Sequence, residues 1–228
     1  MPPVPLPDFR PELLYLHDPL CGWCYGLSPV IQQLKHDYAG RLDVTVLCGG
    51  MAVGERAGPI KENWGYIKDA LGDVERATGV QFGAAFRQLA EAGDYVYDSE
   101  PPSRAIVAFR QLEGTRDPGR AVPFAHDVQA ALFRDGQDLN EAATYQQILT
   151  ELYADVDAAA WEARWRSPDA ARATQQEFAA VARTGVRGFP TVVLRLGEQG
   201  YVLARGYQSY TALAANVEAA LRQADAEG

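Results

Sequence analysis

Cysteine is scarce in this chain: three in 228 residues, too few for a secreted scaffold stapled by disulfides. Long apolar runs are also lacking. Each is short and interrupted by Gly, Pro or charge, and none approaches the ~18 residues of a membrane span. Basic clusters are missing. With 21 Lys and Arg against 30 Asp and Glu, the formal charge is −9. That sets nucleic acid aside as a main partner, because a phosphate-binding surface needs clustered cations. The N-terminus, Met1-Pro2-Pro3-Val4-Pro5-Leu6-Pro7-Asp8, carries neither the basic nor the apolar stretch of a secretory signal, so the expected compartment is a reducing cytoplasm. No fixed-period repeat is present. The hydrophobic content of 47% is ordinary for a globular chain and excludes wholesale disorder.

The patterning that remains has a clear order. Five prolines in residues 1–11 predict an extended, poorly ordered arm. Leu13-Leu14-Tyr15-Leu16 reads as a buried strand. Leu27, Val30, Ile31, Leu34 and Tyr38 recur at helical spacing, with Gly40 as a stop. Leu42–Leu47 alternates like a second strand. From Pro59 to Thr184 helix formers dominate and no strand is expected. Candidate helices there are Glu62–Leu71, Gly83–Ala92, Ser103–Leu112, Pro123–Arg134, Ala142–Leu152, Ala158–Arg166 and Asp169–Arg183, with Ser103 as an N-cap after Pro101-Pro102. Trp64, Trp161 and Trp165 are expected to pack this part. Thr191–Leu196, a turn at Gly197–Gly200 and Tyr201–Ala204 predict a hairpin. A last amphipathic helix, with Leu213, Val217, Ala220 and Leu221 on one face, starts near Ser209. The order is βαβ, a helical block too long for a loop, then ββα.

The informative cysteines are Cys21 and Cys24, in Cys21-Gly22-Trp23-Cys24, between the first strand and the first helix. A sulfur at a helix N-terminus meets unpaired N–H groups and the positive end of the helix dipole, which favour negative charge and reactivity. The spacing puts both sulfurs on one turn, within bridging distance. The pair reads as a dithiol that cycles through a disulfide, Cys21 attacking and Cys24 resolving. Half a zinc site is another reading, with Cys48, His17, His36 or His126 as further ligands, and two inert thiols a third. Pro29 either kinks the helix that follows or starts it, with Ser28 as N-cap. Gly185-Val186-Arg187-Gly188-Phe189-Pro190-Thr191 precedes the hairpin, and a proline there suits the first residue of a strand, in a cis or an ordinary trans peptide.

Together these pieces resemble the thioredoxin superfamily, and within it the DsbA-like branch with a helical insertion. The Asp18-Pro19-Leu20-Cys21-Gly22-Trp23-Cys24 segment is similar to that of FrnE-like disulfide isomerases. The resemblance implies an α/β thioredoxin-like fold (βαβ…ββα) with a large inserted α-helical subdomain: residues 12–58 and 185–225 form the two parts of the thioredoxin-like domain, and residues 59–184 the insertion. It implies that Pro190 is the cis-proline beside Cys21 and Cys24, that Phe189 offers backbone groups to an extended substrate, and that Thr191 lines the same edge. The implied activity is protein disulfide oxidoreductase or isomerase. Its partners are protein or peptide disulfides and thiols, with glutathione as a small-thiol candidate; no metal and no cofactor are implied. The Gly-Trp spacer tunes the redox potential, and the missing signal favours reduction or isomerisation.

Further residues need weighing. Cys48 is expected as a small buried hydrophobe, or else as a backup thiol. His17 could stabilise the Cys21 thiolate. Trp23, Met51, Phe189 and Tyr207 could form an apolar substrate patch. Two other functions fit the same fold. One is a glutathione-dependent enzyme resembling kappa-class transferases or 2-hydroxychromene-2-carboxylate isomerases, which use a serine near the position of Cys21. The other is a redox-switched peptide-binding or chaperone module.

Overall fold

The computed structural model describes residues 10–113 and 118–227. Apart from Arg10 and Pro11, the proline-rich arm lies outside the described residues. Strand β1 (Glu12–His17) leads into helix α1 (Gly22–Asp37) and strand β2 (Asp43–Cys48). The helical stretch follows as α2 (Trp64–Thr78), α3 (Ala84–Ala92), α4 (Glu100–Glu113), α5 (Ala121–Phe133), α6 (Ala142–Leu152), α7 (Ala158–Trp165) and α8 (Pro168–Arg183). Hairpin strands β3 (Thr191–Leu196) and β4 (Gln199–Arg205) and helix α9 (Tyr210–Glu227) close the chain.

The sheet order is β2-β1-β3-β4. β1 runs parallel to β2, from Glu12 opposite Asp43 to His17 opposite Cys48, and antiparallel to β3, with Leu16 opposite Thr191. Leu13, Tyr15, Leu16 and His17 are all buried, as befits a central strand. This register has a direct consequence for the site: the ends of β1 and β2 and the start of β3 lie side by side, so residues far apart in sequence converge there.

Several sequence expectations are corrected. The region expected to hold no strand contains a two-residue pairing of Gly58–Pro59 with Val96–Tyr97. α2 runs seven residues beyond the expected Leu71, ending at Gly79 with φ +82°, a conformation that suits glycine. α4 starts at Glu100, so Pro101, Pro102 and Ser103 lie in its first turn and Ser103 is not its cap. A proline is tolerated there because first-turn N–H groups have no intrahelical partner. α8 starts at Pro168, one residue earlier than expected, and is capped by Ser167, whose hydroxyl accepts from Ala170 N–H. The hairpin turn is only Gly197-Glu198, so β4 starts at Gln199.

Pro29 lies inside α1. It has no N–H to give to the Tyr25 carbonyl, and the Ser28 hydroxyl donates to that carbonyl instead, at 2.8 Å. The Ser28 oxygen in turn lies 2.6 Å from His126 Nδ1 on α5, so that nitrogen is the donor. Rings continue the join between α1 and the helical stretch. Tyr25, Phe82, Phe86 and Phe133 pack with centroids 5.1–6.1 Å apart, and such pairs contribute roughly 0.5–1.5 kcal/mol each. Trp161 and Trp165 stack beside Tyr145 in the interior of the helical stretch, and Trp64 packs edge-on against Phe86.

Candidate active site

Cys21 is the N-cap of α1, with extended backbone geometry. The Cys24 N–H donates to its Sγ at 3.3 Å, and its own S–H reaches the Phe189 carbonyl at 3.5 Å. An N–H thus points at the Cys21 sulfur, which sits at the positive end of the α1 dipole. Cys24 is fully buried, and burial, with the Cys21 sulfur beside it, pushes its thiol well above the usual cysteine range. The two sulfurs therefore differ: Cys21 sits at the edge of a cavity, and Cys24 behind it is held as a thiol. All three cysteines are free.

The Phe189–Pro190 peptide is cis, and Pro190 is buried. Phe189 is half-buried, and its ring lies over Gly49, the residue after β2. Beside Cys21 opens a cavity of about 630 Å³ lined by Trp23, Met51, Phe189, Arg56, Glu62 and Tyr66 among others. Thus Trp23, Met51 and Phe189 do come together. Tyr207 is not part of that lining. Thr191 is buried, its hydroxyl donates to the Gly188 carbonyl at 2.9 Å, and it lines a second, smaller cavity instead.

His17 does not face Cys21. Its Nε2 lies 3.6 Å from Cys48 Sγ, and burial, with a smaller effect from Arg110, lowers its pKa to about 3, so it is neutral. Cys48 is fully buried, its thiol is raised by burial, and its N–H donates to Glu177, which Arg110 holds. His36 is exposed beside Asp37. Among the described residues, no group of three or more His, Cys, Asp or Glu side chains is placed to hold a metal ion.

Asp18 has a role that its place in the sequence did not signal. It is fully buried, and its carboxylate accepts from Leu20 N–H at 2.9 Å, Ser99 Oγ–H at 2.8 Å and Met51 N–H at 2.6 Å. Burial raises its pKa while those donors oppose the rise. Asp18 thus ties the end of β1 to the loop after β2 and to the residue before α4. Three further groups hold the backbone around Cys21: Tyr97 Oη donates to the Leu20 carbonyl, Tyr15 Oη to the Cys24 carbonyl, and Gln129 Nε2 to the Asp18 and Cys21 carbonyls. Gln129 carried a signal that could have been read: it is a lone amide in the apolar run Val128-Gln129-Ala130-Ala131-Leu132. Its partners, more than a hundred residues away, carried none.

Among the described residues no helix is long and apolar enough to cross a membrane. A candidate protein disulfide isomerase from Nitrosomonas europaea superposes with a TM-score of 0.80 at 26% identity, over 94% of this chain and 99% of that one. The cytosolic disulfide reductase DsbM from Pseudomonas aeruginosa gives 0.76 at 27% identity, over 93% and 99%. Its structure with GSH gives 0.73 at 28%, over 92% and 99%. The ClpXP adapter protein SpxH of Shouchella clausii (strain KSM-K16) is 25% identical over 190 residues, which make up 82% of this chain; the chain spans 59% of that relative's length. Residues 16–218 match the DSBA-like thioredoxin domain family, which is most of the chain, and the chain belongs to that family.

Proposed function

We propose that this protein is a cytoplasmic thiol–disulfide oxidoreductase that reduces protein or peptide disulfides, with Cys21 as nucleophile and Cys24 as resolving thiol. The observation that carries the reading is the Cys21 sulfur at the N-cap of α1, taking a hydrogen bond from Cys24 N–H and facing the carbonyl before Pro190, at the mouth of a cavity.

The Cys21 thiolate attacks one sulfur of the substrate disulfide. A bond forms between the two, the substrate S–S bond breaks, and the first substrate thiolate leaves and takes up a proton. Cys24 then loses its proton and attacks Cys21 Sγ. The Cys21–Cys24 disulfide forms and the second substrate thiol departs, so two electrons pass from enzyme to substrate. Burial of Cys24 keeps it protonated, and so unreactive, until the mixed disulfide sits beside it. The backbone of Phe189 offers the edge along which an extended substrate lies, and Trp23 and Met51 supply apolar contact. Two equivalents of a small thiol such as glutathione restore the dithiol. A cavity of about 630 Å³, with Arg56 and Glu62 in its lining, has the size and mixed charge to admit a zwitterionic tripeptide.

The glutathione-dependent isomerase reading fits less well, because a cysteine stands where those enzymes use serine and a second thiol waits behind it. Insulin reduction with glutathione as reductant tests the proposal. Wild type should be active, Cys21→Ser inactive, and Cys24→Ser should accumulate a mixed disulfide with substrate. Equal inactivity of wild type and Cys21→Ser would sink the reading.

A further inference from the structure

The second cavity, about 410 Å³, is lined by Gly185, Val186, Arg187, Gly188, Phe189, Thr191, Arg205 and Gly206. It holds two guanidinium groups and no carboxylate. Several other arginines of this acidic chain are matched to acids, among them Arg87 to Glu75, Arg110 to Glu177 and Arg195 to Glu12. Arg187 and Arg205 are exposed, and among the described residues neither side chain makes a hydrogen bond or an ion pair. The fold fixes their meeting: Arg205 ends β4 directly opposite Thr191, and Gly206 N–H donates to the Pro190 carbonyl at 2.8 Å, so the arginine stands beside the loop that carries Arg187. A Cβ added at Gly185, Gly188 or Gly206 would meet nothing, so this flank is open space. Phe189 lines both cavities, and its carbonyl faces the Cys21 sulfur.

We infer that Arg187 and Arg205 form a carboxylate-recognition subsite, which reads acidic groups flanking the substrate cysteine on the side of Phe189 away from the larger cavity. This specificity rests on the disulfide-exchange reading of Cys21, since it supplies the reason a substrate would pass Phe189. Two unpaired guanidinium groups in a concave site without a competing anion select a carboxylate by charge and by forked donor geometry. The carboxylate comes from Asp or Glu in a protein segment, or from the glutathione half of a mixed disulfide.

The test is a binding measurement that needs no thiol chemistry. In the Cys21→Ser protein, anisotropy compares two labelled peptides whose single cysteine is capped as the S-methyl disulfide, one flanked by Glu and one by Gln. At about 50 mM salt the acidic peptide should bind roughly tenfold tighter, and this preference should fade at about 0.5 M salt, where charges are screened. Arg187→Gln/Arg205→Gln should abolish the preference and leave the Gln peptide unchanged, while Arg187→Lys/Arg205→Lys retains part of it. Thermal melts of the two double variants should match, because neither side chain holds the fold. Displacement of the acidic peptide by oxidised glutathione, in the arginine protein but not in the Gln variant, would assign the subsite to glutathione carboxylates. No displacement would assign it to acidic protein segments. Equal affinity for the two peptides, or a preference that survives Arg187→Gln/Arg205→Gln, would overturn the inference. Failure of insulin reduction would instead remove the catalytic reading and leave this binding result standing.

Discussion

The contact between Gly49 and Phe189 joins the end of β2 to the loop that faces Cys21, and a single methyl tests it. A Cβ on Gly49 would overlap the Phe189 ring, with even Cε2 only 2.7 Å away. Gly49 does not lie in the left-handed region, so alanine meets no backbone strain there. Any cost of Gly49→Ala must therefore come from the ring. Overpacking of this kind costs roughly 1–3 kcal/mol. At about 2 kcal/mol, and with a urea m-value of about 2 kcal/mol/M, the unfolding midpoint should fall by about 1 M. In a Phe189→Ala background the ring is gone. There the same substitution should be neutral or stabilising by up to roughly 1 kcal/mol, because alanine restricts the unfolded chain. The double-mutant cycle should then show a coupling of at least ~1 kcal/mol. Insulin reduction by Gly49→Ala should fall as well, since the displaced residue carries the carbonyl opposite Cys21 Sγ. Equal costs of Gly49→Ala in the two backgrounds would refute the reasoning.

Three further outcomes are expected. His17 has its pKa lowered from 6.5 to about 3 when folded, so below pH 6.5 the unfolded chain takes up a proton that the folded one refuses, and stability falls as pH drops toward 3. The loss should be roughly 2 kcal/mol between pH 7 and pH 5, and His17→Phe should lack it in paired urea titrations; superimposed acid limbs would disprove this. Cys48→Ser should leave the glutathione redox titration of Cys21 and Cys24 unchanged, because Cys48 is buried against His17, whereas a shifted midpoint would make Cys48 a participant. Asp18→Asn should destabilise by roughly 1–3 kcal/mol in urea, because an amide replaces one of two carboxylate oxygens and leaves the Met51 N–H or the Ser99 and Leu20 donors without an acceptor; a change under ~0.5 kcal/mol would show that the carboxylate does not hold these segments.

Sequence by itself determined what depends on neighbours along the chain. The apolar run at Leu13–Leu16 made a central strand, the three- and four-residue spacing after it made α1, and two residues between Cys21 and Cys24 put both thiols on the first turn of that helix. The hairpin and the last helix were legible for the same reason. Element ends were less so: the prolines before Ser103 and the reach of α2 to Gly79 depend on caps and first turns that periodicity does not encode. Tertiary structure alone decided the rest. It chose between two readings of Pro29, gave the His17 ring to Cys48, and seated Phe189 on Gly49. It brought Met51 and Ser99 to a single carboxylate at Asp18, and set Arg205 beside the loop of Arg187. These pairings span tens to more than a hundred residues. They are fixed by strand register and by packing, which act through space and leave no period in the sequence.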